Sequence, residues 1–376
     1  MKFIAFFDSE HNKRENRMYV LAATNKIRYI CSAVNALGEP VEILSPSWTK
    51  NTKGFYRGKQ YALDEQTQVH LFSTFGAARR LTRGLKYFWS LLSLTLYLIF
   101  HVQRGETVMA YHSQALCTPL RIVKRLKRIR LVVEIEEIYA NIRPNKHYDQ
   151  VERRFFSLPD AFIFPTELLN EQLNQAGRPH AVTYGTYQVE PDRDCKREDG
   201  KIHAVYAGTF DPKKGGAVAA IAAAGFLPGD YHMHIIGFGT DNERQNVLDR
   251  ISEVARTTDC TITYDGCLSG EEYIRFLQSC DIGLSTQTPE GIYNKTSFPS
   301  KVLSYLANGL RVVSIRIEVL ERCTVGDLLA FYDEDNPESI AEAIRRIDFG
   351  QDYDSRGRIE ELNRKFIEDL KILLER

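Results

Sequence analysis

The chain has 376 residues, 43% of them hydrophobic and 26% charged, with 49 basic side chains against 49 acidic ones. That length suits two domains of ordinary size, and the composition is that of a soluble globular protein. Seven scattered cysteines form no Cys-x-x-Cys pair, which speaks against a zinc ribbon or a disulfide framework and fits a reducing cytoplasm.

The zero net charge conceals an asymmetry. Residues 1–190 hold 26 Lys and Arg against 17 Asp and Glu, whereas residues 191–376 hold 23 against 32. A basic first half favours a polyanion or an anionic membrane surface as partner. The plainer alternative is two domains that simply differ in charge.

In chain order, Lys2–Phe7 reads as a short strand leading straight into Asp8 and Glu10, without a basic and apolar leader. Arg17–Leu37 has helical apolar spacing, Val41–Leu44 and Gln68–Phe72 read as strands, and Pro46–Asp64 reads as a long polar and aromatic loop. Arg79–Val102 opens on Arg79, Arg80, Arg83 and Lys86, then runs from Tyr87 to Phe100 with no formally charged residue. The run is shorter than the ~18–20 residues that span a bilayer. It is read here as a helix buried in the first domain, with a helix lying in a membrane interface as the competing reading.

Thr107–Tyr111 is a strand ending at His112. Thr118–Lys127 is a helix with a basic side (Arg121, Lys124, Arg125, Lys127 and the following Arg128), a second candidate for lipid headgroups or an ordinary solvated face. Arg130–Ile135 is a strand that runs into Glu134, Glu136 and Glu137. A strand at Ala161–Phe164, a helix at Glu167–Ala176 and a linker near Gly185–Gly200 complete the first half.

The second half alternates regularly, with strands at 202–207, 232–236, 261–264, 282–285 and 311–314 and helices at 215–224, 242–257, 270–278 and 301–308. Such alternation predicts βαβ units and a parallel sheet, so the fold class is α/β with doubly wound sheets. Ser355–Leu374 reads as a final amphipathic helix.

Two stretches carry chemistry. In Tyr293–Ser314 a polar loop with Pro299 gives way to a short helix that Gly309 stops, followed by an apolar strand. Ser300 and Lys301 therefore stand at a helix N-terminus, where free N–H groups and the dipole meet a hydroxyl and an ammonium. A diphosphate suits such a site; a capped surface helix with a solvated lysine is the alternative. In Val205–Gly216 (VYAGTFDPKKGG) a strand runs into Gly208, a turn and then a helix, with small residues where a ligand would come close. Lys214 can reach the same anion as Lys301, and Lys213 and Lys295 in the same loops are substitutes.

In order and spacing these stretches resemble the retaining, nucleotide-sugar-dependent glycosyltransferases of the GT-B fold, family 4 type (glycosyltransferases group 1). Gly208, Phe210, Lys214 and Gly215 match that family's strand–Gly-x-Leu-x-x-x-Lys-Gly–helix unit. Ala307, Gly309, Val312 and Val313 match its later helix ending in Ala-x-Gly and the Val-Val strand. The resemblance covers roughly 200–345. It implies two doubly wound, Rossmann-like domains facing a cleft: an acceptor-side domain over 1–188, a donor domain over 189–354, and a C-terminal helix, 355–376, returning to the first.

The resemblance further implies transfer of a sugar from a nucleotide-diphosphate sugar to a glycan or lipid-linked acceptor, with no cofactor, no metal and no nucleic acid. The expected place of action is the cytoplasm, which the scattered cysteines suit, with a peripheral place on the inner face of the membrane as the alternative that the basic first half raises. Lys214 and Lys301 would hold the phosphates. Thr209 stands where the family usually has Arg. The family's Glu-x7-Glu pair is missing, with Ser304 at its second position and Thr296 at its first. Glu290 stands in as a displaced sugar contact, and Phe298–Lys301 matches a subset with a Phe-Pro-Ser-Lys loop. Gly237 and Gly266 follow donor-domain strands, where close approach or backbone contact to the ligand is implied; a simple turn explains Gly237 equally. On the acceptor side, Glu136 with Glu134 and Glu137 could orient or deprotonate a hydroxyl, with His112 as a lesser candidate. Salt bridges to the helix Thr118–Lys127 are the structural alternative. The missing Glu pair leaves two other readings open, a catalytically silent GT-B subunit and a nucleotide-sugar 2-epimerase.

Overall fold

The computed structural model describes residues 1–139, 146–289, 291 and 296–375. The chain divides into two compact units: Met1–Pro165 with Leu169–Thr186 and Arg364–Arg376, and Thr166–Leu168 with Tyr187–Asn363.

The first unit is built on an eight-stranded sheet in the order His180–Val182, Ala161–Phe164, Arg130–Glu134, Thr107–Tyr111, Lys2–Ile4, Val41–Ser45, Thr67–Leu71, Lys59–Ala62. All its pairs are parallel except the last, Lys59–Ala62 against Thr67–Leu71. Its central strands are near-continuous apolar runs, as a sheet covered on both faces demands, and Leu131, Val133 and Phe162 join Leu94, Leu98 and Leu120 in one core. Within this unit Phe366 of the helix Ser355–Glu375 stacks on Tyr29 at 5.6 Å.

Three sequence-based expectations for this unit change. The segment read as a loop over Pro46–Asp64 contains two strands, Phe55–Tyr56 and Lys59–Ala62. Both are short and largely solvated, so neither shows the apolar run that marks a buried strand. The first helix spans Leu21–Asn35 and so begins after Arg17. Arg17 is instead a buried tie: its guanidinium donates to the carbonyls of Ser47 (2.9 Å) and Phe72 (2.8 Å) and pairs with Glu15. The helix Arg80–His101 is not buried all round. Lys86, Ser90, Leu94 and Leu98 face inward, while Leu81, Phe88 and Phe100 are 77%, 63% and 76% exposed.

The second unit holds a six-stranded, all-parallel sheet in the order Thr261–Gly266, Tyr231–Phe238, Ile202–Thr209, Ile282–Ser285, Arg311–Ile315, Leu329–Tyr332. Strand order reverses between Ile202–Thr209 and Ile282–Ser285, and in such sheets the carboxyl ends at that point form the ligand crevice. These two strands pair only at Ala204–Ile282 and Val205–Gly283, then part. The Tyr305 hydroxyl fills the parting: it accepts the Ala207 N–H at 2.9 Å and donates to the Leu284 carbonyl at 3.3 Å. Tyr305 is fully buried on the inward face of the helix Ser300–Ala307, so the same side chain fixes that helix over the strand ends. Gly283 makes the room, because a Cβ there would lie 2.3 Å from the Tyr305 ring.

Gly283→Ala is therefore expected to lower the unfolding free energy by about 1–3 kcal/mol through overpacking against Tyr305. Tyr305→Phe should cost about 1–3 kcal/mol by leaving the Ala207 N–H buried without a partner. Urea denaturation followed by circular dichroism measures both. Wild-type midpoints in the two variants would show that the wedge does not hold the strands.

Candidate active site

The carboxyl end of Ile202–Thr209 delivers Gly208 and Thr209 to the crevice. The loop that follows is held by its own polar groups. Thr209 Oγ1 accepts the Asp211 N–H (3.2 Å), Asp211 Oδ1 accepts the Lys213 N–H (3.0 Å), and the Asp211 carbonyl accepts the Lys214 N–H (3.0 Å). The next strand end straps it from outside. Thr288 donates its N–H to the Lys214 carbonyl at 3.1 Å, and Thr286 Oγ1 donates to the Gly216 carbonyl at 2.7 Å. Thr209 is thus part of the frame that shapes the loop. Lys213 and Lys214 are both exposed on it.

Glycine is demanded where the loop turns into the helix Gly216–Ala224. Gly215 has φ +66°, and a Cβ on Gly216 would lie 2.7 Å from the Tyr206 ring. Gly237 is tighter still, with φ +149° and a would-be Cβ 1.8 Å from the Gly208 carbonyl oxygen. Gly237 therefore permits the strand ends to close up beside Gly208. Gly266, with φ +92°, has open space where a Cβ would stand.

Lys301 is the second residue of the helix Ser300–Ala307, whose N-cap, Pro299, offers no side-chain acceptor. Among the described residues no side chain caps this helix, so its N-terminus offers the positive end of the dipole to an anion. The Lys301 ammonium lies 4.1 Å from the centroid of the Tyr206 ring, and a Cβ on Gly208 would be 3.3 Å from it. Among the described residues it has no carboxylate partner. Burial, with the Lys214 charge second, pulls its pKa down to about 7. Ser300 is exposed, and Ser304 one turn on hydrogen-bonds Tyr273 through its hydroxyl at 3.3 Å. The expected sugar contact Glu290 and the substitute cation Lys295 lie outside the described residues.

The first-unit candidates are placed differently. Glu134 is fully buried and, with Glu136, grips Lys26 of the helix Leu21–Asn35, at 2.9 and 2.6 Å. The ion-pair partner is thus Lys26 rather than the basic helix Cys117–Lys127. Burial pushes the Glu134 carboxyl up to about 8 against the pull of Lys26. Glu136 keeps a third of its side chain exposed, and burial raises Glu137 as well. His112 is buried, 3.4 Å from Glu152 and stacked on Tyr139, and burial pushes its pKa down to about 3.

Among the described residues one group could bring three metal-ligand atoms together: His203, His232 and His234, with a nitrogen of each within 4.8 Å of the others. The rings of His232 and His234 stack at 3.8 Å and 25°, so their in-plane lone pairs run side by side rather than converging on one ion at ~2 Å. Hydrogen bonds occupy the nitrogens instead, His203 to His234 at 2.9 Å, His203 to Asp199 at 2.9 Å and His234 to Asp265 at 3.0 Å. The chain does contain the Asp-x-Asp spacing that serves as a metal signature in the other glycosyltransferase fold, so the expectation of metal independence draws no support from a lack of that spacing. It occurs at Asp192–Asp194, Asp333–Asp335 and Asp352–Asp354. Asp192 pairs with Arg356, Asp333 with Arg316, and Asp354 accepts the Gly357 N–H.

Sequence reasoning missed the aromatic frame, Tyr206 beneath Lys301 and Tyr305 between the strands. Alternation within an apolar strand or helix does not distinguish a tyrosine that fills the core from one that aims a hydroxyl.

Residues 201–347 match the family model for glycosyl transferases group 1, and this segment is a glycosyltransferase domain. No curated protein sequence matches the chain. Among solved structures, the chain is similar to the sucrose-phosphate synthase of Thermosynechococcus elongatus at 14% identity and TM-score 0.67, covering 100% of this chain and 98% of that one. It is similar to the E. coli trehalose-6-phosphate structure bound with UDP-2-fluoro glucose at 11% identity and TM-score 0.61, covering 98% and 96%. It is similar to Anabaena HepE in complex with UDP and glucose at 11% identity and TM-score 0.59, covering 99% of both chains. At such identities the likeness establishes the fold, GT-B with two Rossmann-like domains.

The depressed Lys301 pKa has a measurable consequence. A bound diphosphate favours the charged ammonium, so binding above about pH 7 must take up a proton. UDP affinity should weaken as pH rises from about 7, by at most about tenfold per unit. Calorimetry at about pH 8 in buffers of different ionisation enthalpy reads the proton directly. No uptake by the wild type, or equal uptake by Lys301→Met, would rule out this lysine as the anion's partner.

Proposed function

We propose that this protein transfers a sugar from a nucleoside diphosphate sugar to a glycan or lipid-linked acceptor, with retention and without a metal ion. The observation that carries the reading is Lys301: an ammonium with no carboxylate partner among the described residues, at an uncapped helix N-terminus, over the strand end where Rossmann-like sheets bind ligands. The UDP ligands of the E. coli and Anabaena structures make UDP-sugars the first donors to test. The Phe298–Lys301 sequence favours the subset with a Phe-Pro-Ser-Lys donor loop. All seven cysteines are unpaired, which suits action in a reducing cytoplasm or at the inner face of its membrane.

In the proposed reaction the bond from the sugar's anomeric carbon to the β-phosphate oxygen breaks. The acceptor oxygen forms its bond on the same face, and its proton passes to the departing phosphate. Charge grows on the leaving diphosphate as the bond stretches. Lys301, Lys214 and the helix N-terminus are fixed in advance to meet that charge, so they stabilise the transition state more than the ground state. Thr209 supplies no charge; it holds the loop that presents Lys214. The test of the reading is whether nucleoside diphosphate is released only when acceptor is supplied, which separates transfer from a silent subunit and from epimerisation.

Lys301→Ala and Lys214→Ala should each reduce turnover by a factor equivalent to about 2–4 kcal/mol while leaving thermal stability near that of the wild type. Single-turnover kinetics with matched melting curves measure this. Near-wild-type turnover in both variants would remove the phosphate assignment.

Turnover should also survive chelation. Activity that disappears with EDTA and returns with Mn²⁺ would show that an ion, not these cations, takes the phosphate charge.

A further inference from the structure

The helix Arg80–His101 carries two apolar stripes. The inner one, with Leu94 and Leu98, closes the first unit's core. The outer one follows helical spacing through Leu81, Leu85, Phe88, Leu92 and Leu96, with Trp89 and Phe100 along its edge. Of these only Leu92 is not among the exposed large side chains. Polar side chains are buried on the opposite face: Lys86 donates to the Thr49 carbonyl at 2.7 Å, and Ser90 is 1% exposed. Two exposed apolar residues of the adjoining helix Cys117–Lys127, Ile122 and Leu126, add to the apolar surface of this unit. A contiguous apolar stripe of this size on a globular protein marks an interaction surface.

Charge identifies the partner. Arg79, Arg80 and Arg83 sit at the start of the helix, which has no acidic residue in its first turn. Three cations at the positive end of a helix dipole oppose the usual preference for acids there. All three are exposed, as are Arg121 and Arg125 on the neighbouring helix, and none of the five pairs with a carboxylate among the described residues. Lys124, by contrast, is engaged with Asp160 at 2.7 Å. No helix among the described residues is long and apolar enough to cross a membrane. Aromatic and leucine side chains on one stripe with unpaired arginines at its end fit a helix lying in the headgroup layer of a bilayer.

We propose that the outer face of Arg80–His101 docks on an anionic phospholipid surface, with Phe88, Trp89 and Phe100 in the acyl boundary and Arg79, Arg80 and Arg83 on the headgroups. The surface belongs to the first unit and Lys301 to the second, so it does not depend on the transferase reading; it bears on that reading by favouring a lipid-linked acceptor.

The test is co-sedimentation of the full chain with phosphatidylcholine vesicles, with and without phosphatidylglycerol, at low and high salt. The wild type should pellet with the anionic vesicles at low salt and be released by high salt. The triple change Arg79→Gln, Arg80→Gln, Arg83→Gln should weaken that binding by roughly 10–100-fold. Phe88→Ser with Phe100→Ser should abolish it, and circular dichroism should show the fold retained, since both side chains are exposed. Binding that ignores the arginines, or equal binding to neutral vesicles, overturns the proposal. So does concentration-dependent self-association that the phenylalanine changes abolish, which would make the face an interface between copies. Release of nucleoside diphosphate with a water-soluble acceptor, measured on the arginine variant, reports on the transferase reading separately.

Discussion

The crevice end of the second unit's sheet depends on one hydroxyl. Where Ile202–Thr209 and Ile282–Ser285 part company, each leaves a backbone group that the ladder no longer satisfies, the Ala207 N–H and the Leu284 carbonyl. Tyr305 answers both at once. Buried backbone groups without partners are costly, so the strands can splay only because this side chain is there. The splay opens the crevice at the reversal of strand order, and the helix that carries Tyr305 inward presents Lys301 at its other end. Crevice and cation are thus set by the same eight-residue helix, Ser300–Ala307.

Lys301 shows what such a frame is for. An ammonium partly removed from water, with no carboxylate partner among the described residues, is unfavourable, and burial accordingly pulls its pKa down to about 7. A carboxylate beside it would relieve the cost and also spoil the site, because an anionic ligand would then have to displace it. The Tyr206 ring offers a weaker and non-competing contact, a quadrupole beneath the charge. On the proposed reading the ammonium would stay in place while remaining available to a diphosphate. This is preorganisation in the electrostatic sense: the unfavourable arrangement is built during folding rather than during the reaction.

Much of this was legible in the chain. Alternating strands and helices over 202–314 predict the parallel sheet, and the observed strands Ile282–Ser285 and Arg311–Ile315 differ from expectation by a residue at most. Helix placement follows from Gly309, which takes φ +81° just beyond Ser300–Ala307. What the chain does not disclose is which polar residue meets which. Glu134 and Glu136 read as strand-end carboxylates, yet their partner, Lys26, is more than a hundred positions away. Arg17 reads as a helix start because its spacing fits, while its guanidinium is committed to two carbonyls just past the ends of the strands Val41–Ser45 and Thr67–Leu71. Short polar edge strands such as Lys59–Ala62 escape for a related reason: their stability lies in ladder bonds to a neighbour, and their own residues carry no apolar period.

The two places where local rules fail are also the two with functional readings. At Lys301 a cation is held without a carboxylate partner among the described residues; on Arg80–His101 phenylalanines face out while a lysine and a serine face in. Neither pattern is accounted for by the stability of its own unit. A sequence under selection for folding alone would place an acid near the first and reverse the second, since both changes lower the free energy of the isolated chain. On the two proposals each retained conflict would be relieved by a partner of definite chemistry: a diphosphate for the Lys301 ammonium, and a surface both greasy and anionic for a face both aromatic and arginine-edged. The stored unfavourable term would give each proposed partner its differential affinity, so the conflict itself points to the ligand class.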